Sequence, residues 1–420
     1  MRDAPEPPEA RRPLPREVWL LSGVSFFADV SGEMVYPLLP LFLVGVLGAS
    51  RMELGLIEGG AVLIVALMAA VAGFRSDRSG RRAPWIRVGY GLPVLGKALI
   101  AAATGWPAVA GGRLLDRVGK GFRGAPRDAL IAGAVNADQR GRAFGVHRAA
   151  DSAGAVVGVL LSAFLLWWLT GTAVPADDAS SGVGTTPAWV FRTIFAVGAV
   201  LGLASLALTF FVNDPPGASP GPAAPPVDRK PGPLSLPATY WSVLGVLVLF
   251  SFANSSDTFL LLRVSDLGYS PWAVVLAWAV YNLTYSALSY PAGALSDRFG
   301  RWRIIAVGWV LYAAVYLGFA LLPGSMAWGV WPLMALYGVC MALTDGVGKA
   351  LIADHAPKER RGEALGVYQA VTGVATLGAS LVAGALWDRS GPMAPFLLGA
   401  MFAVLALLGL GVLRRKPKGQ

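Results

Sequence analysis

The sequence predicts an all-α integral membrane protein of about twelve transmembrane helices in two pseudo-symmetric six-helix bundles. Three observations lead there: a composition suited to lipid, a succession of apolar runs of spanning length, and a repeat at a nearly constant offset. The 420 residues are 55% hydrophobic and 14% charged. A soluble domain carries about 25% charged residues, so most of this surface is built to meet lipid. The net charge is +10. Its basic residues sit in short clusters between apolar runs and share no soluble face, which argues against nucleic acid as a partner and for topology-setting charge.

A helical span needs about 20 mostly apolar residues. Such runs fall at 18–47, 53–74, 85–104, 107–130, 141–168 and 190–213, then at 239–264, 271–295, 303–322, 327–353, 362–387 and 393–413. They are too long for barrel strands and do not alternate, so helices are the reading. The polar stretch 1–17 has no short apolar core or cleavage site and reads as a cytoplasmic tail, not a signal peptide. The first bundle covers 18–213 and the second 239–413, with a basic tail at 414–420. Between the bundles, 214–238 is rich in proline and glycine, a composition that favours an extended strap.

Lysine and arginine cluster on every second connection. Examples are Arg11, Arg12 and Arg16 before the first span, Arg140 and Arg142 after the fourth, and Lys358, Arg360 and Arg361 after the tenth. The alternate connections are nearly bare, with Arg51 and Arg389 the exceptions. This bias places both termini in the cytoplasm, in a multi-pass protein of the plasma (cytoplasmic) membrane.

The halves repeat. The segment Gly73 to Arg82 is echoed by Gly293 to Trp302, an offset of 220 from Asp77 to Asp297. The segment Ala129 to His147 is echoed by Ala350 to Tyr368, an offset of 221 from Arg140 to Arg361. Six spans per half, duplicated, is the mark of a transporter with its site near the midplane between repeats.

These residues carry a family likeness. Gly73, Asp77, Arg78, Gly80, Arg81 and Arg82 resemble the signature loop of the major facilitator superfamily, and Gly293, Asp297, Arg298, Gly300 and Arg301 repeat it in the second half. Arg117 to Gly121 resembles the family's R-x-x-x-G element, whose arginine is tied to proton coupling in drug/proton antiporters. The stretch GKGFRGAPRDALIA is similar to that of a prokaryotic permease subgroup. In the fifth span Val159 stands where the antiporter pattern has proline. The resemblance implies the family's fold, alternating access, and a gating role for both signature loops.

Charge inside the spans is the second source of expectations, since each such residue costs about 2.5–3.5 kcal/mol at the bilayer centre on insertion scales. In the fourth span Asp116, Lys120, Arg123 and Arg127 step by three or four and share a face, with Arg113 and Arg117 on an adjoining stripe. That face must look at a cavity or its mouth. Arg127 and Asp128 are expected to pair at the cytoplasmic gate. Asp29 and Glu33 are one turn apart in the first span and need a cation, a proton or an arginine; they are read as including a proton carrier or a direct counter-ion, or as a static lock to the fourth span. His147 and Asp151, also one turn apart, form either a proton relay or part of a structural pairing with Arg148 near the mouth. Glu58 and Lys97 are weaker candidates. Pro37 and Pro40 should kink the first span.

In the second half Asn254, Ser256 and Asp257 echo the polar cluster of the first span. Asp345 and Lys349 are set to pair, and Trp278, Tyr281, Tyr285 and Tyr312 are candidates to line a recognition surface. Ion coupling is thus assigned to the first half and shape recognition to the second. With only His147 and His355 and the single Cys340, no metal-ligand spacing, cofactor motif, phosphate-binding loop or catalytic constellation is present. The expected function is proton-coupled export, by antiport, of a small organic solute or drug. The alternatives are a symporter or facilitator taking up a metabolite, siderophore or inorganic ion, or a receptor or assembly subunit that does not transport. The expected partners are the solute, protons and the bilayer, with the protein a monomer.

Overall fold

The structure, a computed structural model, describes residues 13–136, 139–171, 186–214, 236–357 and 360–415, apart from the side chains of Asp77, Arg414 and Arg415. Most of the linker, the long bare connection after the fifth span and the outer parts of both tails lie outside the described residues. The first half contains α1 (Arg16–Val35, continuing irregularly to Val46), α2 (Arg51–Ser79), α3 (Ala83–Ala102), α4 (Trp106–Ala134), α5 (Arg140–Thr170) and α6 (Ala188–Thr209). The second contains α7 (Ala238–Ala253 and Thr258–Asp266), α8 (Pro271–Phe299), α9 (Arg301–Leu321), α10 (Val330–Asp354), α11 (Arg361–Ser390) and α12 (Met393–Arg415). No strand occurs among the described residues.

Local sequence explains the ends and breaks. Ser50 caps α2 through the Glu53 N–H, and the Glu53 carboxylate accepts the Ser50 N–H in return. Pro37 and Pro40 each lack a backbone donor, and α1 loses regular geometry at Tyr36, passing through 3-10 and π turns. Gly80 and Gly300, in the two signature loops, have φ of +68° and +93°, a region closed to most side chains.

One expectation is corrected. The run 239–264 reads as an unbroken span, but α7 unwinds over Asn254–Asp257. Local polarity and tertiary partners stabilise the break together: the Tyr312 hydroxyl donates to the Ala253 carbonyl at 3.0 Å, and the Ser256 N–H donates to Ser380 Oγ at 3.1 Å. Unwound backbone at membrane depth is tolerated where such partners or a cavity receive it.

The packing carries the duplication into three dimensions. In the first half α1 packs on α5 and α6, α2 on α4, and α3 on α4 and α6. Advancing every number by six gives α7 on α11 and α12, α8 on α10, and α9 on α10 and α12, all of which also occur. The two most extensive contacts between the halves are α2 with α11 and α5 with α8, and the same advance exchanges them. The bundles are therefore related by a pseudo-two-fold axis.

The α2–α11 seam is tightest beside the bare connections. There the Asp388 carboxylate accepts the N–H groups of Arg51 at 3.2 Å and Met52 at 3.0 Å, with the Arg51 guanidinium 3.8 Å away. The sequence Asp388-Arg389-Ser390-Gly391 repeats Asp77-Arg78-Ser79-Gly80 at the opposite end of the molecule. An acid at the first turn of a helix satisfies orphan donors and the helix dipole. Asp388→Ala is accordingly expected to weaken closure of this end by about 1 kcal/mol. The check is a Cys340→Ser background carrying Ala61→Cys, with faster alkylation by an impermeant reagent offered from the bare-loop side.

Candidate functional site

Between the bundles lies a cavity of about 460 Å³. Its walls come from α1, α2 and α4 on one side and from α7, α8 and α11 on the other. The unwound stretch of α7 supplies Asn254 to Asp257, so the helix break opens onto this space. A smaller chamber of about 50 Å³ adjoins it, bounded by α1, α3 and α4, and shares Glu33, Tyr36, Arg113, Arg117 and Lys120 with it.

The charged face of α4 is positioned by partners on three helices. Arg113 forms a two-pronged bond with Glu58 of α2, with Nε and Nη2 each 2.7 Å from a carboxylate oxygen. Both residues are buried, and the Tyr36 ring lies under the guanidinium at 5.2 Å. Asp116 sits among cations: Lys97 Nζ at 3.4 Å, Arg113 Nη1 at 3.5 Å and Arg117 Nε at 3.1 Å. The last is an ion pair only, because Arg117 Nε is off the line that a hydrogen bond needs. Arg123 lies 3.9 Å from Asp29 and 4.4 Å over the Tyr90 ring. Lys120 is exposed to the cavity.

Glu33 departs from the expected partner. Its carboxylate accepts the Trp278 indole N–H at 2.8 Å, and Trp278 belongs to α8 in the other half. Tyr36, one turn on, packs against the same indole at 5.1 Å. Asp29 keeps the expected partner on α4, so the two first-span acids divide, one staying within its bundle and one bridging. Across the cavity Asp257 accepts the Tyr337 hydroxyl at 2.5 Å. Trp278 and Tyr281 stack at 4.4 Å, and Tyr281 and Tyr285 lie nearly parallel at 6.0 Å. Tyr312 does not line the cavity with them; it is fully buried and supports the α7 break.

His147 and Asp151 come together at 3.6 Å, away from the main cavity. His147 Nε2 meets Ser25 Oγ at 2.9 Å, and Ser25 also contacts the Tyr90 hydroxyl at 3.0 Å. Arg127 donates to Ser25 and to Asp128, each at 3.0 Å. Arg127 and Asp128 are therefore paired along α4 and tied to α1, within one half.

Of the signature-loop residues, the Asp77 side chain lies outside the described part of the structure, and Arg78 and Arg81 are exposed. The backbone N–H groups of Arg82 and Ala83 donate to Asp214 at 2.7 and 3.0 Å, tying α3 to the end of α6. In the second half Arg301 bonds Asp354 at the end of α10 and lies 3.4 Å from Asp297, while Arg298 rests over Phe299 at 5.4 Å. Asp345 and Lys349 pair at 3.0 Å as expected.

Sequence reasoning undervalued Glu58 and Lys97, and it overlooked Asp388. Glu58 had a readable signal, a lone acid in an apolar run facing a helix with surplus arginine. Among the described residues no group of three or more His, Cys, Asp or Glu side chains is placed to hold a metal.

The family model described as Major Facilitator Superfamily matches residues 21–348 and 276–420. An uncharacterized MFS-type transporter of Methanocaldococcus jannaschii is 31% identical over 95% of this chain and 95% of its own. A multi-drug resistance efflux pump homolog of Lactococcus lactis is 25% identical over 80% of this chain and 79% of its own. Among solved structures, a mutant of the nucleoside transporter NupG superposes with a TM-score of 0.76 at 12% identity, covering 95% of this chain and 100% of that one. A D-xylose-proton symporter gives 0.71 at 20% identity, covering 93% and 95%. At such identities the structural likenesses speak for the fold alone.

Proposed function

Because this chain belongs to the Major Facilitator Superfamily, we propose that it is a secondary active transporter that exports a small organic solute in exchange for protons. The observation that carries this reading is the Glu33–Trp278 bond, which joins an acid of the first bundle to an indole of the second on the cavity wall. A hydrogen bond to an ionised carboxylate is roughly twice as strong as one between neutral groups. Protonating Glu33 therefore weakens a contact between the bundles, and opening that contact favours the protonated acid. Proton binding and the rocking of one bundle against the other become reciprocally linked.

Asp29, against Arg123, is the second proton-carrying candidate. The network of His147, Asp151 and Arg127 is the route we assign between this region and the basic-loop end. The signature loops act as gates, as the bond of Arg301 to the end of α10 suggests for the second half. The likeness to an efflux pump favours export. Basic connections on alternate loops favour termini in the cytoplasm.

The test uses purified protein in liposomes, with a solute first identified as a compound whose toxicity changes on deletion. Flux should accelerate under a pH gradient that drives protons against the solute, and Glu33→Gln should keep solute exchange while losing the response to the gradient. Acceleration when both gradients point the same way would make the protein a symporter. Flux indifferent to the gradient would remove proton coupling.

A further inference from the structure

Building on the transport reading, we propose that the solute is an organic anion with a flat conjugated body. Lys120 and Arg117 hold its anionic group, and Trp278, Tyr281 and Tyr285 meet its ring.

The argument is an account of which charges around the cavity already have partners. Arg113 is neutralised by Glu58 through two bonds. Glu33 is engaged by Trp278 and Asp257 by Tyr337. Each carboxylate on the main cavity's wall thus has a protein donor, a guanidinium for Glu58 and neutral groups for Glu33 and Asp257. The cations are different. Lys120 has no hydrogen bond or ion pair within 4.0 Å among the described residues, and it is exposed to the cavity. Arg117 touches Asp116 only as an ion pair, and its Nε is buried without a hydrogen-bond partner. The two stand three residues apart on α4, both facing the main cavity and the chamber beside it.

A cation in a low-dielectric wall is costly until an anion meets it. Guanidinium beside ammonium matches a carboxylate, sulfonate or phosphate, with a planar fork next to a point charge. The opposite wall fixes the rest of the molecule. Trp278, Tyr281 and Tyr285 form a ladder of near-parallel rings, with interplanar angles of 25° and 9°. Rings prefer offset stacking or edge contact with other rings. The volume of about 460 Å³ is that of a site for a drug-sized molecule, not for an inorganic ion.

The experiment is calorimetric titration of the full-length protein in detergent with matched compounds. These are naphthoate against naphthylmethylamine, anthracene carboxylate against anthracenylmethylamine, and acetate as the anion without a ring. Aryl carboxylates are expected to bind at least about tenfold more tightly than either the amines or acetate. Lys120→Met should weaken their binding about tenfold or more with an unchanged thermal midpoint, and Lys120→Arg should restore it. Tyr285→Leu should shrink the advantage of anthracene over naphthalene. Amines binding as tightly as carboxylates, an indifferent Lys120→Met, or no aryl carboxylate binding at millimolar concentration would each overturn the proposal. The readout needs no gradient. Selective amine binding with intact gradient-driven flux removes the anion class and leaves transport standing. Aryl carboxylate binding without flux does the reverse.

Discussion

Glu58→Ala is expected to destabilise the protein by about 3–5 kcal/mol, the cost of leaving a buried charge without its partner. Arg113 is 4% exposed and Glu58 3%. Without the carboxylate, the guanidinium keeps Asp116 only at 3.5 Å and a tyrosine face at 5.2 Å. Neither replaces two bonds of 2.7 Å. The measurement is the thermal unfolding midpoint of purified protein, followed with the yield of monodisperse material. Arg113→Met alone should also destabilise, by stranding Glu58. The double variant Glu58→Met with Arg113→Met should recover much of the loss, since well-packed apolar residues often replace a buried pair without cost. A double variant no better than the worse single one would show that the pair does more than neutralise itself. Solute binding to the rescued variant then separates a scaffold role from a direct one.

Gly55→Ala is expected to open the bare-loop end by about 1–3 kcal/mol, the usual cost of overpacking a tight contact. A Cβ at Gly55 would stand 2.2 Å from the Ser380 carbonyl oxygen, and one at Gly384 would stand 2.3 Å from the Arg51 carbonyl oxygen. In both cases the obstacle is backbone, which cannot swing aside. The two helices must separate, and they join different bundles. At about 1.4 kcal/mol per factor of ten, the open population should rise roughly tenfold to a hundredfold. The reporter is again Ala61→Cys, whose parent residue is 2% exposed. Alkylation from the bare-loop side should accelerate by that factor in Gly55→Ala, and Gly384→Ala should behave alike. Unchanged labelling in both would mean that this seam does not control access to the cavity.

Part of this site was legible before any coordinates. Asp29 with the fourth span, His147 with Asp151 and Asp345 with Lys349 were expected as neighbours, and the distances place them together, Asp29 against Arg123. Two of these are one turn apart on a single helix, where periodicity suffices. The donor to Glu33 was not legible, because it lies 245 positions away on a helix of the other bundle.

The sequence alone determined the lipid-facing composition, the twelve apolar runs, the duplication and the concentration of charge on α4. Each of these is written in local hydropathy, in helical spacing, or in a comparison of the chain with itself. Tertiary structure decided which acid neutralises Arg113, where α7 unwinds, that Asp388 ties α11 to the start of α2, and that Lys120 faces the cavity with no ion pair inside 4.0 Å among the described residues. The reason is physical. A charge in a membrane must find a partner, but any helix that packs alongside can supply it, and only the packing selects which one does.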